Sequence, residues 1–202
     1  MQSSVLVLPT SAEIETLKEM RTNEYMKTMN WLNDYREKYE IIFLESVATK
    51  NSFIEKYFPV YYSCNHNPRF QNKGANLGNS LSNFFNNNKV KQDLVLQFTG
   101  RYNFIDGYFF SIIENNPNYD FYGKWFENEN QYFTGAFAMK TKHMMNWLNS
   151  TDWNHLNDAM INIEKSIREY VVSKNLKAYH VDKINIECNI FGNGQHLDKR
   201  II

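Results

Sequence analysis

Short continuous apolar runs alternate along this chain with stretches whose apolar residues recur every three to four positions. The runs at 5–8 (VLVL), 39–45 (YEIIFLE), 60–63 (VYYS) and 94–98 (LVLQF) are too short for buried helices. They read as strands hidden on both faces, the pattern of a parallel sheet. Ser11 is placed to cap a helix in which Ile14, Leu17, Met20, Met26, Met29 and Leu32 recur on one side as far as Tyr35. Leu77, Leu81, Phe84 and Phe85 mark another helix, and 52–56 a short helical piece. Alternation of this kind restricts the chain to an α/β fold, with a mostly parallel central sheet and helices on both faces.

The second half continues less regularly. A helix is expected over 104–113, an edge strand over 119–122, and a strand over 132–139 broken by Gly135. Helices follow at 142–148 and about 157–172, then strands at 178–181 and 184–186, while 65–74 reads as a polar loop. No repeat, linker or charge run divides residues 1–202, so one domain is expected. A domain of this length buries roughly 70% of the surface of its unfolded chain and needs no covalent staples.

Lysine plus arginine (22) balances aspartate plus glutamate (22), which leaves no overall field to hold nucleic acid. Cys64 and Cys188 are too few for a disulfide framework, and no cysteine–histidine spacing matches a zinc site. The opening MQSSVLVLPTS has no basic leader, and no apolar stretch approaches the roughly 20 residues of a membrane span. The expected setting is the cytoplasm, soluble or peripheral at a membrane.

Ligands of open α/β sheets bind beyond the carboxyl ends of the strands. Pro9 follows the first run, and Glu45 ends the second, where its carboxylate either meets a sugar diol or pairs with a lysine. Lys73 and Asn76 open a helix, whose amino end suits a phosphate, although a solvated lysine on an ordinary helix start fits equally. After the 94–98 run comes Thr99-Gly100-Arg101-Tyr102, in which a glycine allows close backbone approach and an arginine offers a fork of donors to phosphate. The plainer reading is a turn with a surface ion pair. Arg21, on the first helix, is either a nucleotide contact or solvated. Thr134 and Gly135 place a small-residue bend inside a strand, where a ligand can approach the backbone. Glu164 and Arg168 are spaced as a helix ion pair, with Glu164 as the alternative base for an acceptor hydroxyl.

Taken in order, these segments resemble the small GT-A-type glycosyltransferases, compact viral and bacterial enzymes that build surface glycans. The resemblance runs over about residues 4–190: the buried first run, Arg21 with Tyr25, IIFLE ending in Glu45, NKGAN at 72–76, the run into TGRY, TGAFAMK at 134–140, and 161–168. It implies a Rossmann-like nucleotide-binding half, with Arg21 and Glu45 near the nucleoside, Lys73 and Asn76 near nucleotide or sugar, and Arg101 near the diphosphate. Pro9, Thr99, Gly100 and Tyr102 would belong to the same donor side, and Thr134 and Gly135 to the acceptor side.

The family's Asp-x-Asp metal motif does not stand at 96–101 or elsewhere, and the nearest acid is Asp106. The resemblance therefore leaves Mn or Mg as an optional cofactor, with Asp106 as the candidate ligand and Arg101 or Lys73 as the alternative charge on the leaving group. Where the family carries Glu-Asp-x-Glu/Asp, this chain keeps Asn162, Glu164 and Arg168, which makes Glu164 the expected base. The implied activity moves a hexose from a UDP- or GDP-sugar to a hydroxyl of a glycan or lipid-linked acceptor. A non-catalytic nucleotide- or glycan-binding module on the same fold is the alternative.

Overall fold

The structure, a computed structural model, describes residues 2–3, 11–45, 50–63, 70–100, 102–191 and 197–202; side chains are described for 22–45, 50–63, 70–100, 102–187 and 201–202. The chain runs β1 (Gln2–Ser3), α1 (Ser11–Asn33), β2 (Phe43–Glu45), a 3-10 turn (Phe53–Lys56), β3 (Val60–Tyr62), α2 (Lys73–Asn87) and β4 (Leu94–Phe98). It continues through β5 (Asn103–Phe104), α3 (Tyr108–Asn115), β6 (Phe121–Phe126), β7 (Gln131–Lys140), α4 (Thr141–Ser150), α5 (Trp153–Asp158) and α6 (Ile163–Ser173). The last strands are β8 (Ala178–Val181), β9 (Ile186–Phe191) and β10 (Leu197–Ile201). Residues 5–8, expected as the first strand, lie outside the described residues.

The fold is mixed α/β, but the mostly parallel central sheet expected above is not what forms. Parallel pairing joins β1–β2–β3 and also β6–β8, whereas β4–β7–β6 and β10–β9–β5 are antiparallel. The physical reason is the short connection 127–130, closed by Asn130 N–H donating to Glu127 O (3.2 Å) with Asn130 in the left-handed region (φ 50°). A link of that length reverses the chain and pairs β6 with β7 as a hairpin, since a parallel pair needs a crossover of a dozen residues or more. The helix expected over 157–172 starts later, as α6, because 157–158 belong to the end of α5. Met160 at φ 52° separates the two, and Asn162 caps α6 by accepting from Lys165 N–H (2.9 Å).

Two apolar clusters lie on opposite sides of β7. Ala136 and Ala138 join Tyr25, Met29 and Leu32 of α1 and Phe109 and Phe110 of α3, while Phe137 and Met139 join residues of α2, α4, α5 and α6. Successive strand side chains point to opposite faces. Helices therefore cover both faces, as the sequence implies. The small alanines admit the aromatic pile of Trp31, Tyr35, Phe104 and Phe110, whose ring centroids stand 4.4 to 5.3 Å apart. Among the described residues no helix is long and apolar enough to cross a membrane.

Asp120 ties the ends of three strands together. Its Oδ1 accepts from Lys140 Nζ (2.9 Å), its Oδ2 accepts from Lys177 N–H (3.1 Å), and its backbone bonds both neighbours. Burial pushes this carboxyl up, but the hydrogen bonds from Lys140 and Lys177 outweigh it and hold the group below the usual carboxylate range. Burial pushes the neighbouring His143 down, against the pull of Asp120. Both shifts carry the same sign in pH. Asp120 stabilises fully above its unfolded value and loses that contribution as pH falls through the folded one; His143 costs stability below about 6.5, where only the unfolded ring takes up a proton. Urea unfolding at pH 3 to 7 should show stability declining in both windows. Asp120→Asn should cost about 1–3 kcal/mol at pH 7 and flatten the lower window.

Candidate functional site

β7 leaves its ladder with β6 at Phe133–Ala136. Between the pairs Gly123–Phe137 and Trp125–Tyr132, β6 places one residue (124) and β7 places four (133–136). A bulge of this kind re-aims side chains and ends local pairing. Tyr132 consequently packs with the α6 side and Ala136 with the α1 side, although equal parity along an unbroken strand would put them on one face. Gly135 in the bulge hands its carbonyl to Thr99 N–H (2.8 Å), at the end of β4. Thr134 turns the other way, and its hydroxyl donates to Oε1 of Glu164 in the first turn of α6.

The turn after β4 closes on the same place. Tyr102 N–H donates to Thr99 O (2.9 Å), and the Tyr102 ring stacks on Phe133 with centroids 6.0 Å apart and 16° between planes. Gly135 is required between them, because an added Cβ would lie 2.2 Å from Phe133 Cζ and 2.4 Å from Tyr102 Cε2. From α1, buried Thr28 brings its hydroxyl to Tyr102 O (3.0 Å) and Asn103 Oδ1 (3.1 Å), with buried Glu24 one turn earlier.

Two helix amino ends meet beside Glu164. Asn72 caps α2 by accepting from the N–H groups of Gly74 (2.9 Å) and Ala75 (3.3 Å), and its own amide donates to Ile161 O (2.6 Å) just ahead of α6. The contact is tight: a Cβ on Gly74 would sit 2.8 Å from Ile163 Cβ. Lys73 is exposed at this end, and Asn76 is buried with its amide donating to Phe70 O (3.2 Å). Glu45, 1% exposed at the end of β2, accepts at its backbone carbonyl from Ser63 N–H (2.9 Å).

The fold thus gathers Thr99, Gly100, Tyr102, Thr134, Gly135 and Glu164, sets Lys73 and Asn76 on the adjoining helix end, and places Glu45 on the strand beneath α2. Pro9 and Arg101 lie outside the described residues, and Arg21 is on α1 with its side chain undescribed. Asp106 is not part of the group. Its carboxylate accepts from Tyr108 N–H (2.9 Å) at the start of α3 and from Asn185 (2.9 Å). Among the described residues no three His, Cys, Asp or Glu side chains are grouped to hold a metal ion.

Glu24, Thr28 and Phe133 were not identified from the sequence, since only tertiary contacts bring them here. The same holds for the rings flanking the bulge on its other side. Tyr132 hydroxyl meets His180 Nε2 at 2.9 Å, and His180 stacks on Trp125 (5.8 Å, 16°). Compared with protein families, curated proteins and solved structures, the chain finds no match.

Gly135→Ala should separate Tyr102 from Phe133 and destabilise the protein by about 1–3 kcal/mol in urea unfolding. An unchanged midpoint would show that the bulge relaxes freely.

Proposed function

We propose that the chain transfers a hexose from a nucleotide diphosphate sugar, a UDP- or GDP-sugar, to a hydroxyl of a glycan or lipid-linked acceptor. The arrangement is GT-A-like, with the nucleotide held over the ends of β2 and β4. The observation that carries this reading is the contact between Thr134 and Glu164 at the bulge of β7, beside two helix amino ends. Glu164 already accepts a hydrogen bond from one hydroxyl, the geometry in which a carboxylate takes a proton from an acceptor hydroxyl. The amino end of α2 with Lys73, together with Arg101, supplies positive potential for the departing diphosphate. Glu45 and Arg21 take the nucleoside, Asn76 the nucleotide or sugar, and the half-buried rings of Tyr102 and Phe133 an apolar sugar face.

A panel of UDP- and GDP-sugars, with and without manganese, tests the reading by thermal shift and by release of free nucleotide. A donor at 100 times its Kd should stabilise the protein by roughly 2.7 kcal/mol. Glu164→Gln should keep that shift and lose roughly 10²–10⁴-fold in kcat. Arg101→Ala should weaken UDP more than uridine. The transferase reading fails if no nucleotide sugar moves the melting temperature; binding without nucleotide release, acceptors supplied, would identify an inert binding module.

A further inference from the structure

A cavity of about 520 Å³ opens between β2 and β4, in the plane of the sheets. Its walls come from both covering layers. Leu32, Tyr35 and Phe110 close it from the α1 and α3 side, and Leu81, Phe84 and Phe85 from the α2 side. Its long edge is β4, the end strand of its sheet. Thr99 N–H bonds Gly135 O, and Thr141 N–H bonds Asp93 O. Hydrogen-bonded pairs alternate along an antiparallel ladder, so Val95 and Gln97 make the intervening bonds to β7. Leu94, Leu96 and Phe98 turn their N–H and C=O groups away from β7, toward the cavity.

Gln97 lines the same cavity and is 2% exposed, yet neither its Nε2 nor its Oε1 has a hydrogen-bond partner among the described residues. Burying an amide with both functions unmet is unfavourable by several kcal/mol on transfer scales, and such a group calls for a physical explanation. A side-chain amide and the open edge of a strand present the same thing, a donor beside an acceptor. Aromatic rings line the cavity from both covering layers, Tyr35 and Phe110 on one side and Phe84 and Phe85 on the other. At the mouth stand the exposed Lys89 and Lys91, while Lys38 is paired with Glu114 (2.6 Å) and Glu40 accepts from Gln92.

We propose that this cavity binds a nucleobase-type nitrogen heterocycle carrying a phosphate, at a site separate from the donor side described above. The ring lies in the plane of the sheet, edge-on to β4, and exchanges hydrogen bonds with Gln97 and the outward groups of Leu96 and Phe98. Tyr35 and Phe110 cover one face of it, Phe84 and Phe85 the other, and the phosphate reaches Lys89 and Lys91. A lipid chain would fill the cavity but leave the Gln97 amide unmet. The volume falls within the 300 to 1,000 Å³ typical of small-ligand pockets, which combine apolar walls with a few placed polar groups.

The test is titration of the full chain with AMP, GMP and UMP, followed by calorimetry and by amide chemical shifts, with ribose 5-phosphate and palmitate as controls. One of the three nucleotides should bind and shift the amides of Leu94, Leu96 and Phe98, and Gln97→Leu should weaken it at least tenfold. Gln97→Leu exchanges an unpartnered buried amide for an apolar group of similar size, so the fold should hold. Lys89→Ala with Lys91→Ala, at exposed positions, provides a second test: it should weaken the nucleotide several-fold and leave its nucleoside unaffected. The proposal is overturned if none of the nucleotides binds, if Gln97→Leu binds equally well, or if palmitate alone occupies the cavity. Shifts confined to Thr99, Gly100 and Gly135 would also overturn it, by placing the nucleotide on the donor side, and would leave the transferase reading intact.

Discussion

Burial of β7 on both faces is the constraint on which the rest of the structure depends. Its ten residues pair with β4 on one edge and β6 on the other, and alternate side chains enter the two apolar clusters. A strand in that position has no solvent-facing side to absorb an irregularity, and a one-residue slip would exchange the clusters. The four residues of 133–136 set against residue 124 interrupt the ladder with β6 alone. On the other edge Gly135 O still receives the regular rung from Thr99, while the Thr134 hydroxyl donates to Glu164. Both contacts are made by residues of the candidate site. The candidate site stands where one ladder of β7 breaks and the other continues.

That origin explains what could be read from the residues. Leu94–Phe98 and Ala178–Val181 appear as strands at their expected bounds, the first as a near-continuous apolar run. The hairpin at 127–130 was missed because Glu-Asn-Glu-Asn contains neither glycine nor proline, and only Asn130 takes the left-handed turn conformation. The break at Met160 carries no signature at all, since methionine rarely adopts φ 52° and is held there by backbone bonds, its own N–H to Asn157 O (3.0 Å) and Ile161 N–H to Leu156 O (2.9 Å). Gln97 sat unnoticed inside an apolar run. Its significance lies in a missing partner, which no sequence pattern displays.

The site residues divide along the same line. The candidates that follow a strand, Glu45 and Thr99 to Tyr102, were selected by a topological rule that needs only strand ends. Glu164 was selected by its spacing to Arg168 and by the family resemblance, but its meeting with Thr134 depends on the bulge, and the bulge on the bulk of Phe133 and Tyr102 around Gly135. Thr28 and Glu24 could not have been singled out, because α1 shows only that its apolar side faces inward. Which polar residues flank that side becomes clear once Thr28 reaches Tyr102 O and Asn103.

β4 is the element with two different edges. Its inner edge is fixed by β7 through Val95 and Gln97 and runs directly into Thr99, whose N–H holds the bulge. Its outer edge, through Leu94, Leu96 and Phe98, faces the cavity. The backbone groups of one five-residue strand thus serve two separate places, and a strand has no slack to shift one edge without the other. Coupling between distant places requires an element that both can bias. β4 meets that requirement by construction, because the residue that directly follows it, Thr99, is the residue that bonds the bulge.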